Sequence, residues 1–98
     1  SEKAVLLIGE DAYDRKGYEE AVKYLSMVDG SALQPEEQSA LNFKLGYVLF
    51  VRKEFERAAT LFNMGREVRD KYYYPANYYY GMTQYFAGNY PEADILQY

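Results

Sequence analysis

Three glycines constrain this chain more than any other feature. Gly9, Gly46 and Gly81 stand 37 and 35 residues apart, and the residues around them recur in register. Nine positions after each glycine comes an aromatic ring: Tyr18, Phe55, Tyr90. Twelve after comes alanine: Ala21, Ala58, Ala93. One before comes a large, mostly apolar residue: Ile8, Leu45, Tyr80. Sixteen after the first two come Leu25 and Phe62, whereas the third has Gln97. Self-similarity with a period of roughly 20–50 residues marks stacked-repeat architectures, in which each unit buries its apolar face only against its neighbours.

Apolar residues within each period fall at helical spacing, so each unit reads as two helices joined by a tight turn. The spacing predicts a first helix over about Glu2–Arg15, with Val5, Ile8, Gly9 and Ala12 on its inner face. Glycine inside a helix costs about 1 kcal/mol against alanine, and a helix contact too close for a side chain would account for keeping it. Lys16–Gly17 supplies the turn, with the glycine able to take the left-handed conformation. A second helix over about Tyr18–Val28 turns Ala21, Val22, Leu25 and Val28 inward, and Asp29–Gly30–Ser31 breaks it. Pro35 opens a third helix, followed by Glu36 and Glu37 at the positive end of its dipole. That helix runs to about Arg52, and its extra turn lengthens the first period. After Lys53–Glu54 a fourth helix is expected over about Phe55–Lys71, with Ala58, Ala59, Phe62 and Val68 inward. Tyr72–Tyr73–Tyr74–Pro75 interrupts, because the residue before proline disfavours helix. A fifth helix is expected over about Pro75–Ala87, then a turn at Gly88–Asn89 and a sixth from Pro91 with Ala93, Ile95, Leu96 and Tyr98. The expected architecture is a single all-α domain over residues 1–98, in units of about 1–34, 35–73 and 74–98. The apolar end of the last helix suggests that further repeats follow, so that the chain is a fragment of a longer repeat protein, or that this end packs on another molecule.

Composition removes several kinds of chemistry. With no cysteine and no histidine, thiol catalysis, disulfides and the commonest metal ligand and general base are excluded. The net charge is −4, uneven along the chain, with no basic stripe for nucleic acid. Arg52, Lys53, Arg57, Arg66 and Arg69 are interleaved with Glu54, Glu56, Glu67 and Asp70, which suits helix-surface ion pairs better than phosphate contacts. No apolar run approaches the roughly 18 residues of a bilayer span. Glu10, Asp11 and Asp14 read as a solvated helix face more than as the looped oxygen cage of a calcium site. No polar cluster converges, so no enzyme, cofactor or metal is expected.

The landmarks resemble those of the tetratricopeptide repeat (TPR) family. Ile8–Gly9, Tyr18, Ala21 and Leu25 match in the first unit; Leu45–Gly46, Phe55, Ala58 and Phe62 in the second; Tyr80–Gly81, Tyr90 and Ala93 in the third. Val5, Asn42 and Asn77 stand where the family has tryptophan, Pro35 and Pro75 are displaced from its usual proline, and the periods exceed its usual length of about 34. The tyrosine-rich "KYYYPANYYYG" joint also looks like tandem-repeat envelope proteins of Bacteroidetes-type bacteria. The first resemblance implies helical hairpins stacked as a right-handed superhelix and a non-catalytic protein-interaction scaffold. The second implies a bacterial cytoplasmic or envelope setting.

The resemblance also implies that the first helices of successive units line a concave groove. Positions −3, +1, +4 and +5 from each glycine form one stripe on a helix. They are Leu6, Glu10, Tyr13 and Asp14; Phe43, Tyr47, Phe50 and Val51; and Tyr78, Met82, Tyr85 and Phe86. Two of the three sets are wholly apolar or aromatic, suited to adaptable contact. Such a groove would hold a peptide or partner segment by aromatic contacts, with Glu10 and Asp14 favouring a basic group at one end. The other reading is that the stripe is buried, by a missing following helix or by a second copy of the chain; the latter would make it a structural self-association module in a larger assembly, such as one of the cell envelope. The family's carboxylate-gripping positions are here Leu6, Glu10, Lys44, Pro75 and Tyr79, of which only Lys44 is basic, so capture of a chain-terminal carboxylate is not expected. The Tyr72–Tyr74 and Tyr78–Tyr80 runs could offer a stacking platform for bases or sugars, but rings at helical spacing more often pack between repeats.

Overall fold

The computed structural model describes residues 1–88. These form five α-helices: α1 (Glu2–Asp14), α2 (Tyr18–Leu25), α3 (Pro35–Val51), α4 (Phe55–Gly65) and α5 (Tyr73–Phe86), with a short 3-10 turn at Gly30–Ala32 before α3. No strand occurs among the described residues, and no helix there is long and apolar enough to cross a membrane. The expected sixth helix, with Tyr90, Ala93, Ile95, Leu96 and Tyr98, lies outside the described residues, as does Gln97.

The hairpins α1–α2 and α3–α4 close through the glycines. A Cβ on Gly9 would lie 2.6 Å from Leu25 Cδ2, and one on Gly46 would lie 2.9 Å from Phe62 Cε1. Leu25 and Phe62 are the residues sixteen positions on, and both are fully buried. The alanines twelve positions on, Ala21 and Ala58, are also fully buried. The backbone thus comes in at glycine so that one large side chain can fill the gap between two helices, as dense interior packing requires.

The turns repeat as well, though not where the glycine at position 17 suggests. Lys16 (φ 62°), not Gly17 (φ −83°), takes the left-handed conformation, and Lys53 (φ 65°) and Gly88 (φ 91°) do so in the next two units. All three lie seven positions after the landmark glycine. The Gly17 N–H donates to the Ala12 carbonyl at 2.8 Å and the Glu54 N–H to that of Leu49 at 2.9 Å, which caps each first helix through a six-to-one bond.

Neighbouring first helices meet in a repeated register. Glu10 accepts from Lys44 Nζ at 2.6 Å, and the Tyr47 and Tyr79 rings lie 5.3 Å apart. Each pair joins position +1 of one unit to position −2 of the next. Lys3–Glu37 and Arg52–Glu19 ion pairs also tie the first unit to the second.

Several sequence expectations are corrected. Leu6, not Ile8, faces the core: Leu6 is 2% exposed and Ile8 46%. The inner face of α1 follows Leu6, Gly9 and Ala12 at steps of three. α2 stops at Leu25 and leaves Val28 half-buried. α4 stops at Gly65, six residues before Lys71, and Val68 points outward at 42% exposure. The cause is α5. It crosses so close at Gly65 that a Cβ there would lie 3.0 Å from that of Ala76, and Arg66 turns its guanidinium onto the Tyr80 ring and bonds Asn77. Asp70 then accepts from the Tyr72 N–H and starts α5 at Tyr73. Pro75 falls in the first turn, where its missing N–H has no helical partner to lose.

Candidate functional site

The most distinctive surface is a connected sheet of aromatic rings over α1, α3 and α5. Tyr13, Tyr18 and Tyr47 form a triangle with centroids 6.1–6.2 Å apart. Tyr47 continues to Phe43 and Tyr79, and Phe50 links Tyr79 to Phe55 and Phe86. Phe43 also touches Phe62 and Tyr72, so this wall is rooted in the core.

The twelve residues selected by spacing divide accordingly. Tyr13, Phe43, Tyr47 and Phe50 are half-buried and in mutual or shared ring contact. Phe86 joins them and is 51% exposed; Tyr85 packs edge-on against Phe86, and Val51 stands beside it at the surface. Asp14 is exposed at the end of α1. Met82 is half-buried. Tyr78 is half-exposed and meets Tyr79 edge-on. Leu6 is corrected from wall to core. Glu10 is also reassigned. Its carboxylate is held by Lys44, both side chains are 18% exposed, and the Lys44 ammonium lies 5.7 Å from the Tyr13 ring centroid. Glu10 is therefore spent between repeats, which leaves exposed Asp14 as the remaining ground for expecting a basic group at that end.

Sequence spacing missed Tyr79, which lies at −2 rather than on the chosen stripe. Its ring touches Phe43, Tyr47, Phe50 and Phe62. The recurrence of aromatics at +9, Tyr18 and Phe55, was the available signal that the wall extends onto the second helices. The tyrosine runs do not make a free platform: Tyr79 and Tyr72 turn inward to Phe43, Tyr80 lies under Arg66 and Tyr73 under Arg69. Tyr74, 78% exposed, is left at the surface.

Two open recesses indent the wall, and they are the same site in successive units. One, of about 370 Å³, is lined by Tyr13, Asp14, Lys16 and Tyr18, with Phe43, Tyr47 and Tyr79 behind. The other, of about 410 Å³, is lined by Phe50, Val51, Lys53, Phe55 and Phe86. Four lining positions, +4, +5, +7 and +9, are common to both.

The charges around the wall are mostly committed. Lys3, Arg15, Lys44, Arg52 and Arg57 are in ion pairs. Lys23, Arg66, Arg69 and Lys71 lie over tyrosine rings. Of the eleven lysines and arginines in the chain, only Lys16 and Lys53 have neither kind of contact among the described residues. Burial, reinforced by Tyr18, Tyr47 and other neighbouring phenols, pushes the Tyr13 hydroxyl up to about 12. Burial followed by Tyr47 raises Tyr18 and Tyr79 as well. These phenols stay protonated at neutral pH. No group of three or more acidic side chains suited to a metal ion occurs among the described residues.

No family model, no curated protein and no solved structure matches the chain. The reading of the site therefore rests on its own geometry.

Proposed function

We propose that this chain is a non-catalytic protein-interaction module, a TPR-like stack of helical hairpins in a right-handed superhelix. Its first helices present an aromatic wall to a peptide or partner segment. The observation that carries the reading is the repeated recess: the same four positions open an aromatic pocket in two successive units. A surface whose only task was to close the core would have no need of indentations in register. Aromatic side chains, tyrosine among them, are enriched in the few residues that dominate affinity at such interfaces, since they give large contact area at little entropic cost.

Peptides selected from a random display library on the immobilised chain test this. Phe86→Ala and Tyr85→Ala remove exposed rings at the edge of the wall and should lower the affinity of selected peptides about fivefold or more, with the helical circular dichroism unchanged. Selected peptides that bind both variants as tightly as the parent would contradict the proposal. Phe43 and Tyr47 are unsuitable probes, since both pack on the core. A second reading, self-association, draws on the adjacent exposure of Val51, Tyr85 and Phe86. Light scattering across a dilution series separates it, because a mass that stays monomeric rules it out.

A further inference from the structure

The interaction reading leaves the chemistry of the partner open, and the two recesses narrow it. At the mouth of each stands a lysine in the left-handed conformation, Lys16 at φ 62° and Lys53 at φ 65°. A non-glycine residue in that region costs roughly 1–2 kcal/mol, and glycine, which occupies the equivalent position 88, avoids the cost. Facing the negative end of a helix returns about 0.3–1 kcal/mol to an exposed lysine, less as salt screens it. The same two lysines are the cations left without an ion pair or a ring among the described residues. Two ammonium groups thus stand unused, at the same repeat position, each beside an aromatic pocket. The helix cap accounts for the left-handed backbone; what it leaves unexplained is lysine rather than glycine at this position in two units.

We propose that the wall binds an extended, acidic peptide segment in which aspartate or glutamate side chains meet Lys16 and Lys53 while neighbouring apolar or aromatic side chains enter the two recesses. This rests on the interaction reading above. Packed helices stand about 8–10 Å apart, and an extended chain in the polyproline-II conformation brings every third side chain to the same side at a repeat of about 9 Å. The ligand register is therefore an acidic–aromatic pair recurring every third residue. The two recesses differ in a way that ranks them. The first has Asp14 beside its lysine and tyrosine hydroxyls around it; the second has Val51 in that place and phenylalanine rings. The second recess takes the more apolar side chain and attracts the acid more strongly. The acids recognised are internal side chains, so an amidated peptide binds as well as a free one.

The test uses three amidated peptides, repeats of Glu-Phe-Ser, Gln-Phe-Ser and Lys-Phe-Ser, titrated into the full chain by calorimetry at low and high salt. The glutamate peptide should bind about tenfold more tightly than the lysine peptide, and its affinity should fall with salt. Lys16→Gly and Lys53→Gly remove the ammonium and relieve the backbone at once, so the fold is kept. Each should weaken the glutamate peptide about two- to fivefold, as expected for exposed ion pairs, with Lys53→Gly the larger. Equal binding of all three peptides, lost in Phe86→Ala, would overturn the acidic register while leaving the aromatic wall as an interaction site. No binding of the glutamate peptide would also overturn the acidic register. The interaction reading itself then fails only if library selection yields nothing dependent on the wall.

Discussion

Alanine in place of a landmark glycine sets two physical effects against each other, and the structure decides between them. In a helix interior alanine is favoured by about 1 kcal/mol over glycine. At Gly9, however, the new Cβ would lie 2.6 Å from Leu25 Cδ2, 2.8 Å from Cγ and 3.1 Å from the Leu25 backbone nitrogen. Leu25 is fully buried, so it cannot swing out into solvent to make room. Overpacking of this kind costs roughly 1–3 kcal/mol, and contact with backbone places Gly9 at the upper end. The net expectation for Gly9→Ala is a loss of about 1–2 kcal/mol, or roughly 4–16 °C in melting temperature for a domain of this size. Gly46→Ala meets only the Phe62 ring, at 2.9 Å, and should lose less, about 0–2 kcal/mol. Gly30→Ala is the control. Its Cβ would lie 3.4 Å from Leu41 Cδ2, an ordinary contact, so the reduced freedom of the unfolded chain should stabilise it by about 0.4–1 kcal/mol. Urea and thermal melts followed by circular dichroism give all three values. A Gly9→Ala chain as stable as the parent, or more so, would refute the claim that this glycine is kept for helix-to-helix approach.

Other consequences follow from the same packing. Phe62→Ala empties a fully buried site and should cost about 3–5 kcal/mol in urea denaturation. Glu10→Gln leaves the Lys44 ammonium half-buried without its counter-charge. It should cost about 1–3 kcal/mol, with much of that recovered in the Glu10→Gln/Lys44→Met double variant. Lys16→Gly and Lys53→Gly should each raise stability, by about 1 kcal/mol or less, by relieving the left-handed backbone. Burial raises the Tyr13 hydroxyl from 10.0 to about 12, so the folded state holds this proton after the unfolded chain has lost it. The corresponding stability is fully present below about pH 10 and is lost as pH rises through about 12. Urea midpoints should fall across that window, and Tyr13→Phe should flatten the fall; an unchanged slope would count against burial of that phenol.

The glycine-to-large pairing was legible in the sequence because it is a statement of size: Gly9 with Leu25 and Gly46 with Phe62 can be read from residue types alone. The +12 alanines were legible for the same reason. Direction was less so. Leu6 and Ile8 are both large and apolar, and only the way α1 packs on its neighbours, with Gly9 against Leu25 of α2, decides which is buried. The end of α4 was hidden because Val68 keeps the helical pattern, whereas the stop comes from α5 crossing at Gly65. At the first turn the eye goes to Gly17, but the recurring feature is the lysine before it, matched by Lys53. Those two lysines also mark the paired recess mouths. Tyr79 escaped because its role depends on the register between α3 and α5, and a helical repeat read one unit at a time carries no record of that register.

That register is the most direct thing to measure. Nuclear Overhauser spectra of the folded chain should show ring-to-ring cross-peaks for Tyr13–Tyr47 at the first junction and Tyr47–Tyr79 at the second, with the Lys44 side chain seen by Tyr13. Those cross-peaks are what hairpins stacked along one aromatic wall require. A well-dispersed helical spectrum in which Tyr47 sees neither Tyr13 nor Tyr79 would contradict it.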